Sequence, residues 1–250
     1  MVSNSYLFYA LPFLELYPEY ICPDSIPNCD NRDRCRNRDL VKINWDSPSS
    51  LYNWVDRLNL ECITSNIILI LLIGQEPYMI GLLGSMVFAG WMFGSLFIPR
   101  LGDLYGRKWP VVISLLVASL TYICVILSYN LKTTIALMFL FGTCCAGRYS
   151  TSYVYLSELM PLPNRTLACS ATQFIDASTL ILLTLYFRFV SKEWLPFQVF
   201  GASMTFLCFF ACLFIPESPD YLYSKGQYED SRKLLIKIGS LNRRFNGREV

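Results

Sequence analysis

The sequence predicts an all-α membrane protein, and three observations point to that class. Of its 250 residues, 54% are hydrophobic and only 16% are charged, whereas soluble domains carry about a quarter charged residues. The apolar residues are concentrated between Met79 and Ile215. Within that region, long apolar runs alternate with short loops that are basic on one side, as the orientation rule for membrane helices requires.

Five stretches reach the roughly 20 apolar residues that a helix needs to cross a bilayer. They are Met79–Ile98, Pro110–Ser128, Thr134–Leu156, Leu167–Val190 and Trp194–Ile215. Lipid offers no partners to backbone N–H and C=O groups, so runs of this length predict helices. Gly90 and Gly94 give the first of them a small-residue face, where another helix can approach closely.

Residues 1–17 predict the outer part of a further span. Their apolar part is about half the required length, and Pro12 and Glu15 interrupt it. A signal peptide is disfavoured, because no basic region precedes the stretch and no small-residue cleavage site follows it. We therefore expect a truncated first transmembrane helix, followed over residues 18–78 by a cysteine-bearing extracellular loop and a short apolar stretch, Ile63–Ile73. This stretch is either a lead-in on the outer surface or an extension of the first complete span.

Ten cysteines fall into two groups. Six lie inside apolar runs, where cysteine behaves as a small hydrophobe. Cys22, Cys29, Cys35 and Cys62 lie in the polar stretch before the first complete span. Their even number and polar surroundings favour two disulfides in an oxidising compartment. Three pairings are possible, and four free thiols remain the alternative.

Basic residues flanking the spans predict the orientation. Arg100, Arg107, Lys108 and Arg165 share one side with the basic tail, whereas the opposite short loops hold only Lys132 and Lys192. Since basic loops stay in the cytoplasm, the turn near residue 106 and the tail should be cytoplasmic. The four polar cysteines then lie outside, where disulfides form.

The tail, residues 216–250, is predicted to be a cytoplasmic linker that contains a short amphipathic helix. Between Tyr228 and Ile238, Leu234 and Leu235 share a face with Ile238. Gly239 is expected to end this helix.

The turn between the first two complete spans reads Leu-Gly-Asp-Leu-Tyr-Gly-Arg-Lys from Leu101 to Lys108. It resembles the short cytoplasmic loop of major facilitator superfamily transporters, Gly-x-x-x-Asp-Arg-x-Gly-Arg-Lys. Asp103, Gly106, Arg107 and Lys108 match that pattern. Pro99 replaces its first glycine and Leu104 its first arginine.

Further segments resemble the sugar porters and organic cation/anion transporters of that superfamily. Tyr155, Glu158, Pro161 and Arg165 follow the pattern Tyr-x-x-Glu-x-x-Pro-x-x-x-Arg that closes their fourth span, and Gln173 follows at the interval of a fifth-span glutamine. Pro216-Glu-Ser-Pro219 resembles the end of their sixth span, and Leu58–Cys62 is closer to the organic ion transporters. Met138 stands where the fourth-span pattern begins with arginine. The resemblance implies the N-terminal six-helix bundle of the major facilitator fold.

Charged residues at the cytoplasmic helix ends are candidates for a gating network. Its members are Asp103, Gly106, Arg107, Lys108, Glu158, Arg165 and Glu217. Paired when the cytoplasmic side is closed and separated when it opens, they would set the balance between two conformations. Exposed ion pairs contribute only about 0–1 kcal/mol each, so a partly desolvated network is required. The alternative is that these residues only anchor the helices at the interface.

Two charges lie deep in the predicted spans. Arg148 and Asp176 each lie roughly 12–14 Å from the cytoplasmic ends of consecutive helices. Each alone would cost about 2.5–3.5 kcal/mol on insertion scales, so a facing pair or a wet cavity is expected. We expect both residues, with Gln173 one turn from Asp176, to face a central cavity and bind substrate or couple ions. A static ion pair between the helices is the alternative.

The function that the resemblance implies is secondary transport of a small organic ion or metabolite by alternating access. This chain would supply one of two bundles, with a C-terminal six-helix bundle as its partner in a plasma membrane or endomembrane. A non-transporting sensor or regulatory remnant of the same fold is the alternative. The absence of histidine and of a phosphate-binding loop makes an enzyme a poor candidate. We expect no cofactor or metal, and the net charge of +2 indicates no nucleic acid partner.

Overall fold

The computed structural model describes residues 2–23, 29, 33–34, 40–58, 60 and 78–246. The predicted lead-in Ile63–Ile73 and two of the candidate disulfide cysteines, Cys35 and Cys62, lie outside these residues.

Short elements occupy the described part of the chain before residue 78. They are helices α1 (Val2–Phe8), α2 (Leu11–Leu14) and α3 (Trp54–Arg57), with strands β1 (Tyr20–Ile21) and β2 (Lys42–Ile43). The two strands pair antiparallel, and Tyr20 lies opposite Ile43. The side chain of Asn53 accepts a hydrogen bond from the Val55 amide, which caps α3.

Long helices make up the rest. They are α4 (Tyr78–Tyr105), α5 (Lys108–Leu127), α6 (Leu131–Ala146), α7 (Ser152–Leu159), α8 (Leu162–Leu185) and α9 (Leu195–Phe214), followed by α10 (Pro219–Ser224) and α11 (Tyr228–Asn246). A π-helical turn, Gly147–Thr151, joins α6 to α7 without a break, and a second, Tyr186–Val190, ends α8. All five predicted spans are therefore helical.

Four helices of the described chain are long and apolar enough to cross a membrane: Gly81–Tyr105, Lys108–Leu127, Leu162–Val190 and Leu195–Phe214. The predicted span Thr134–Leu156 is not among these four. It lies within the continuous helical run from α6 to α7, whose centre is the first π-helical turn with the charged Arg148. The fold class expected from the sequence, a helical membrane bundle, is confirmed.

Two predicted boundaries are wrong. The first complete span was expected to end at Ile98, but α4 continues through Pro99 to Tyr105. The connection to α5 is therefore only Gly106 and Arg107. The second concerns the tail helix, which was expected to end at Gly239, whereas α11 runs through that residue to Asn246. Gly239 keeps a helical backbone, and the positive φ of 77° occurs instead at Gly226, between α10 and α11.

The N-terminal segment forms two short helices rather than one. The break falls at Tyr9 and Ala10, just before Pro12 in the first turn of α2. Its inward side is nonetheless well buried, since Leu7, Ala10 and Leu14 are at most 1% exposed. Helix α1 packs against α8 and α9. Asn53 fixes the other end of the segment by donating to the carbonyls of Phe13 and Leu16 at 3.0 and 2.7 Å.

Helices α4 and α6 approach one another at their backbones. A Cβ atom added to Gly90 would collide with the Phe139 carbonyl, and one added to Gly94 would collide with the Thr143 carbonyl. From the other side, a Cβ on Gly142 would collide with the carbonyl of Val87. The small-residue face predicted for α4 is thus the contact surface for α6.

The bundle has two distinguishable ends. At one end, α5 begins and α9 finishes, next to Gly106. At the other, α5 finishes and α9 begins, and the loop of residues 40–58 packs there. The Arg57 guanidinium lies 4.5 Å from the ring centroid of Tyr129 and 5.0 Å from that of Trp194, and Lys192 Nζ donates to the Trp45 carbonyl at 2.6 Å.

A disulfide joins Cys22 to Cys29, with Cα atoms 5.5 Å apart. It belongs to the segment between β1 and β2, which leads into the loop of residues 40–58. The expected disulfide chemistry is therefore present at the end opposite Gly106, the end that the basic residues assign to the outside.

We predict that Gly90→Ala destabilises the bundle, because the new methyl group has no space against the Phe139 carbonyl. Overpacking of this kind costs about 1–3 kcal/mol. The free energy of unfolding, measured by denaturant titration in mild detergent, should fall by that amount. Gly81→Ala is the matched control on the same helix, since nothing lies within 4 Å of its added Cβ. Equal effects of the two substitutions would contradict the proposed close contact.

Candidate functional site

A cavity of about 340 Å³ lies between the N-terminal segment and helices α4, α6 and α8. Its lining consists of Ser5, Phe8, Tyr9, Trp91, Cys145, Tyr149, Gln173, Asp176 and Ala177. Helical spacing explains the convergence, because residues three and four apart share a face. Ser5, Phe8 and Tyr9 have this spacing at the N-terminus, and so do Gln173, Asp176 and Ala177 on α8.

Asp176 is the charged group of this cavity, and its side chain is buried with 8% exposure. Both carboxylate oxygens accept hydrogen bonds. Ser5 donates its hydroxyl to Oδ1, and Tyr9 donates its hydroxyl to Oδ2 at 3.4 Å. Among the described side chains, no Lys or Arg forms an ion pair with Asp176. A carboxylate on a helix long and apolar enough to cross a membrane is therefore held by two hydroxyl groups.

Aromatic rings form the remaining walls. The Trp91 ring lies 5.5 Å from that of Tyr149 and 5.7 Å from that of Phe8, both in edge-to-face arrangements. Tyr149 also donates its hydroxyl to Gln173 Oε1 at 3.0 Å. Aromatic rings and one carboxylate therefore line the same cavity.

Arg148 lies elsewhere. Its side chain, 1% exposed, lines a second cavity of about 300 Å³ together with Tyr155, Thr172 and Cys212. Its guanidinium contacts Cys145 Sγ at 3.6 Å and lies 5.1 Å from the Phe141 ring centroid.

The expected ion pair between Arg148 and Asp176 is not formed. Equal depth on neighbouring helices fixes the height of two side chains but not their rotation about the helix axes. Arg148 also lies in the π-helical turn Gly147–Thr151, where the regular spacing of an α-helix does not hold. Gln173 and Asp176 share one cavity, and Arg148 faces another.

At the end of the bundle near Gly106, Glu217 caps helix α5. Its Oε1 atom accepts the backbone N–H groups of Arg107 and Lys108 at 2.9 Å each, and that of Ser218 at 3.1 Å. Arg107 is the N-cap residue of α5, and its own side chain provides no capping bond. A carboxylate is well suited to this position, because the first N–H groups of a helix are otherwise unpaired and carry partial positive charge.

Gly106 makes this approach possible. Its φ is +104°, a backbone conformation that favours glycine. A Cβ atom at this position would also lie 2.6 Å from Glu217 Oε2. The glycine of the sequence motif is therefore explained by both the turn and the carboxylate beside it.

The Arg107 side chain joins two further acids. Its Nε atom lies 3.2 Å from Glu158 Oε1, and its Nη1 atom pairs with Asp103 Oδ1. Partial burial lowers the pKa of Arg107, but the hydrogen bond that Arg107 donates to Asp103 and the negative charge of Glu158 outweigh this effect and raise the pKa above its usual value. The arginine remains charged at any physiological pH.

Other members of the predicted cytoplasmic network have different roles in the structure. Lys108 Nζ donates to the Leu213 carbonyl at 2.9 Å, which satisfies the C-terminal end of α9. Arg165 forms no ion pair with any described residue, and its Nε atom is buried without a hydrogen-bond partner. The structure therefore brings together Asp103, Arg107, Glu158 and the Glu217 cap, but not Arg165.

Sequence reasoning missed several of the contributing residues. Ser5 and Tyr9 were hidden in a segment too short and too polar to be assigned to a complete span. Near Gly106, the Tyr155 hydroxyl donates to the Pro216 carbonyl, and the Tyr221 hydroxyl donates to the Leu104 carbonyl at 3.0 Å. The sequence motif includes Tyr155 but does not indicate this contact. A tyrosine near a helix end is too common in membrane proteins to indicate such a role from sequence alone.

Comparison with known proteins identifies the family. The sequence model described as "Sugar (and other) transporter" matches residues 59–245, well over half of the chain. The chain belongs to this transporter family.

Individual relatives agree with this assignment. Solute carrier family 22 member 2 of Mus musculus is 26% identical over 199 residues, which cover 79% of this chain and 33% of the relative. The major myo-inositol transporter IolT of Bacillus subtilis is 26% identical over 165 residues, covering 63% of this chain and 35% of that protein. The chain thus spans about a third of the length of these curated relatives.

The fold has a counterpart among solved structures. The inward-open xylose transporter XylE of E. coli superposes with a TM-score of 0.59 at 13% identity, covering 95% of this chain and 50% of that one. These findings confirm the resemblance to the N-terminal half of a major facilitator superfamily transporter, a multi-pass membrane protein. The family and the relatives are transporters and not enzymes.

We predict that Glu217→Gln weakens the cap of α5, since a neutral amide oxygen accepts weaker hydrogen bonds than a carboxylate and loses the attraction to the helix dipole. The free energy of unfolding in detergent should fall by about 1 kcal/mol. Glu229→Gln removes the same charge from the exposed first turn of α11 and should change stability by less than about 0.5 kcal/mol. A Glu217→Gln protein as stable as the control would show that the cap contributes nothing.

Proposed function

We propose that this chain provides one of the two bundles of a secondary transporter, and that the cavity around Asp176 binds a small organic cation. The single observation that carries the substrate class is the buried carboxylate. It lies among aromatic rings, accepts hydrogen bonds at both oxygens and has no cationic partner among the described side chains.

The physical argument is one of charge balance. An ionised carboxylate at membrane depth is costly unless a cation or water compensates it. A bound organic cation supplies that compensation, and the faces of Trp91 and Tyr149 stabilise it further. Gln173 and the hydroxyl groups of Ser5 and Tyr9 can orient polar substituents of the substrate.

Alternating access requires a second helix bundle on the other side of the binding site. In the fold that this chain shares, two bundles rock about a site between them. We propose that a second six-helix bundle closes the Asp176 cavity, and that the cluster of Asp103, Arg107, Glu158 and Glu217 stabilises the cytoplasmic closed state. The Glu158 Oε2 and Arg165 Nε atoms, both buried without partners, are available for contacts that form in another conformation.

The comparisons support transport in general, because the relatives carry transporter names. The mouse relative is a solute carrier, and the Bacillus subtilis relative is named for myo-inositol. A neutral sugar would leave the charge of the buried carboxylate uncompensated. The carboxylate in the Asp176 cavity favours a cation instead.

We predict that Asp176→Asn strongly weakens the binding of tetraethylammonium and so lowers its transport. The complete reading frame that encodes this chain is expressed in cells, and saturable uptake of labelled tetraethylammonium, benzoate and xylose is compared. Loss of the buried charge should weaken tetraethylammonium binding at least about thirtyfold, because a desolvated ionic contact is worth about 2 kcal/mol or more. Asp220→Asn, an exposed acid on α10, is the matched control and should leave uptake within twofold.

Other outcomes contradict the proposal in separate ways. Saturable uptake of benzoate or xylose but not tetraethylammonium would refute the cation assignment. Equal uptake by Asp176→Asn and Asp220→Asn would remove Asp176 from the site. Saturable tetraethylammonium binding without flux would favour the alternative, a non-transporting sensor of the same fold.

A further inference from the structure

An apolar groove of about 550 Å³ runs between the facing halves of α4 and α5 nearest Gly106. Its lining consists of Ile98, Leu101, Tyr105, Trp109, Pro110, Ile113, Ser114, Val117 and Cys144. None of these residues lines the Asp176 cavity. We propose that this groove holds one acyl chain of an anionic phospholipid from the cytoplasmic leaflet, with the headgroup at Lys108. This proposal does not depend on the transported substrate.

The length of the groove fits one leaflet. Trp109 and Val117 mark its ends on α5, and eight residues of helix rise about 12 Å. Half of the hydrocarbon core of a bilayer measures about 15 Å. The groove therefore accommodates most of one acyl chain from the membrane surface toward the midplane.

The mouth of the groove has the chemistry of the membrane interface. Tyr105 and Trp109 lie there with 69% and 55% of their surfaces exposed, and amphipathic rings prefer the headgroup level. Lys108 Nζ lies 6.0 Å from the Trp109 ring centroid. It donates one hydrogen bond to the Leu213 carbonyl, and an ammonium group has three donors. Two donors remain for a phosphate or carboxylate of the headgroup.

The groove is open on its outer side. Leu101 and Ile113, which line it from α4 and α5, are 42% and 56% exposed.

The test uses a phosphatidylserine with a diazirine in the middle of one acyl chain, added to the complete protein in phosphatidylcholine nanodiscs. After illumination, peptide mapping should place the label on α4 and α5 around Leu101, Ile113 and Val117. Ile113→Trp, at a position 56% exposed, fills the groove and should lower this labelling at least fivefold. Leu120→Trp is the matched control, because it is 53% exposed and lies two turns along the same face of α5. It should change labelling by less than twofold.

The headgroup is tested by competition. Unlabelled phosphatidylserine should compete better than phosphatidylcholine, and Lys108→Gln should reduce that preference about fivefold, the contribution expected of one lysine near an anionic lipid. Leu101→Trp fills the groove from α4 and replaces Ile113→Trp if the latter protein does not fold. Equal labelling around the bundle, labelling unaffected by both tryptophans, equal competition by phosphatidylcholine, or displacement by a sterol would each overturn the proposal.

Discussion

The backbone contact between α4 and α6 is the constraint on which the rest of the structure depends. Gly90, Gly94 and Gly142 remove the side chains that would separate the two helices. Inside a membrane, where lipid competes with side chains for apolar contacts, such close approach is a main source of helix association. It places Trp91, next to Gly90, within 5.5 Å of Tyr149 on the continuation of α6. The aromatic walls of the Asp176 cavity follow from that spacing.

Hydropathy and short motifs predict the helices and place several charged residues at one end of the bundle. The five spans are long apolar runs, and lipid permits only one backbone structure for them. Asp103, Gly106, Arg107, Glu158 and Glu217 could be grouped in advance, because each ends a helix on the same side and side is readable from the basic loops. The precise pairing, with Glu217 bonded to backbone N–H groups rather than to a guanidinium, required coordinates.

The sequence does not predict how each helix is rotated about its own axis, and so which neighbour each side chain faces. Arg148 and Asp176 were assigned to one cavity by depth alone, but Arg148 lies in a π-helical turn, where the regular spacing of an α-helix does not hold. The N-terminal segment presents the same difficulty in another form. Its short helices carry too weak a periodic signal to show that Ser5 and Tyr9 reach Asp176 across 171 and 167 residues of chain.

The cap of α5 has a mechanical consequence. The first N–H groups of a helix are usually capped by a side chain from the helix's own sequence. In α5 they are capped by the carboxylate of Glu217, which belongs to the segment that follows α9. Lys108 makes a second connection between the two helices, because its side chain donates a hydrogen bond to a carbonyl at the end of α9. Neither helix can tilt or slide at this end without breaking bonds that belong to both. The ends of α5 and α9 near Gly106 must therefore move together as one rigid unit.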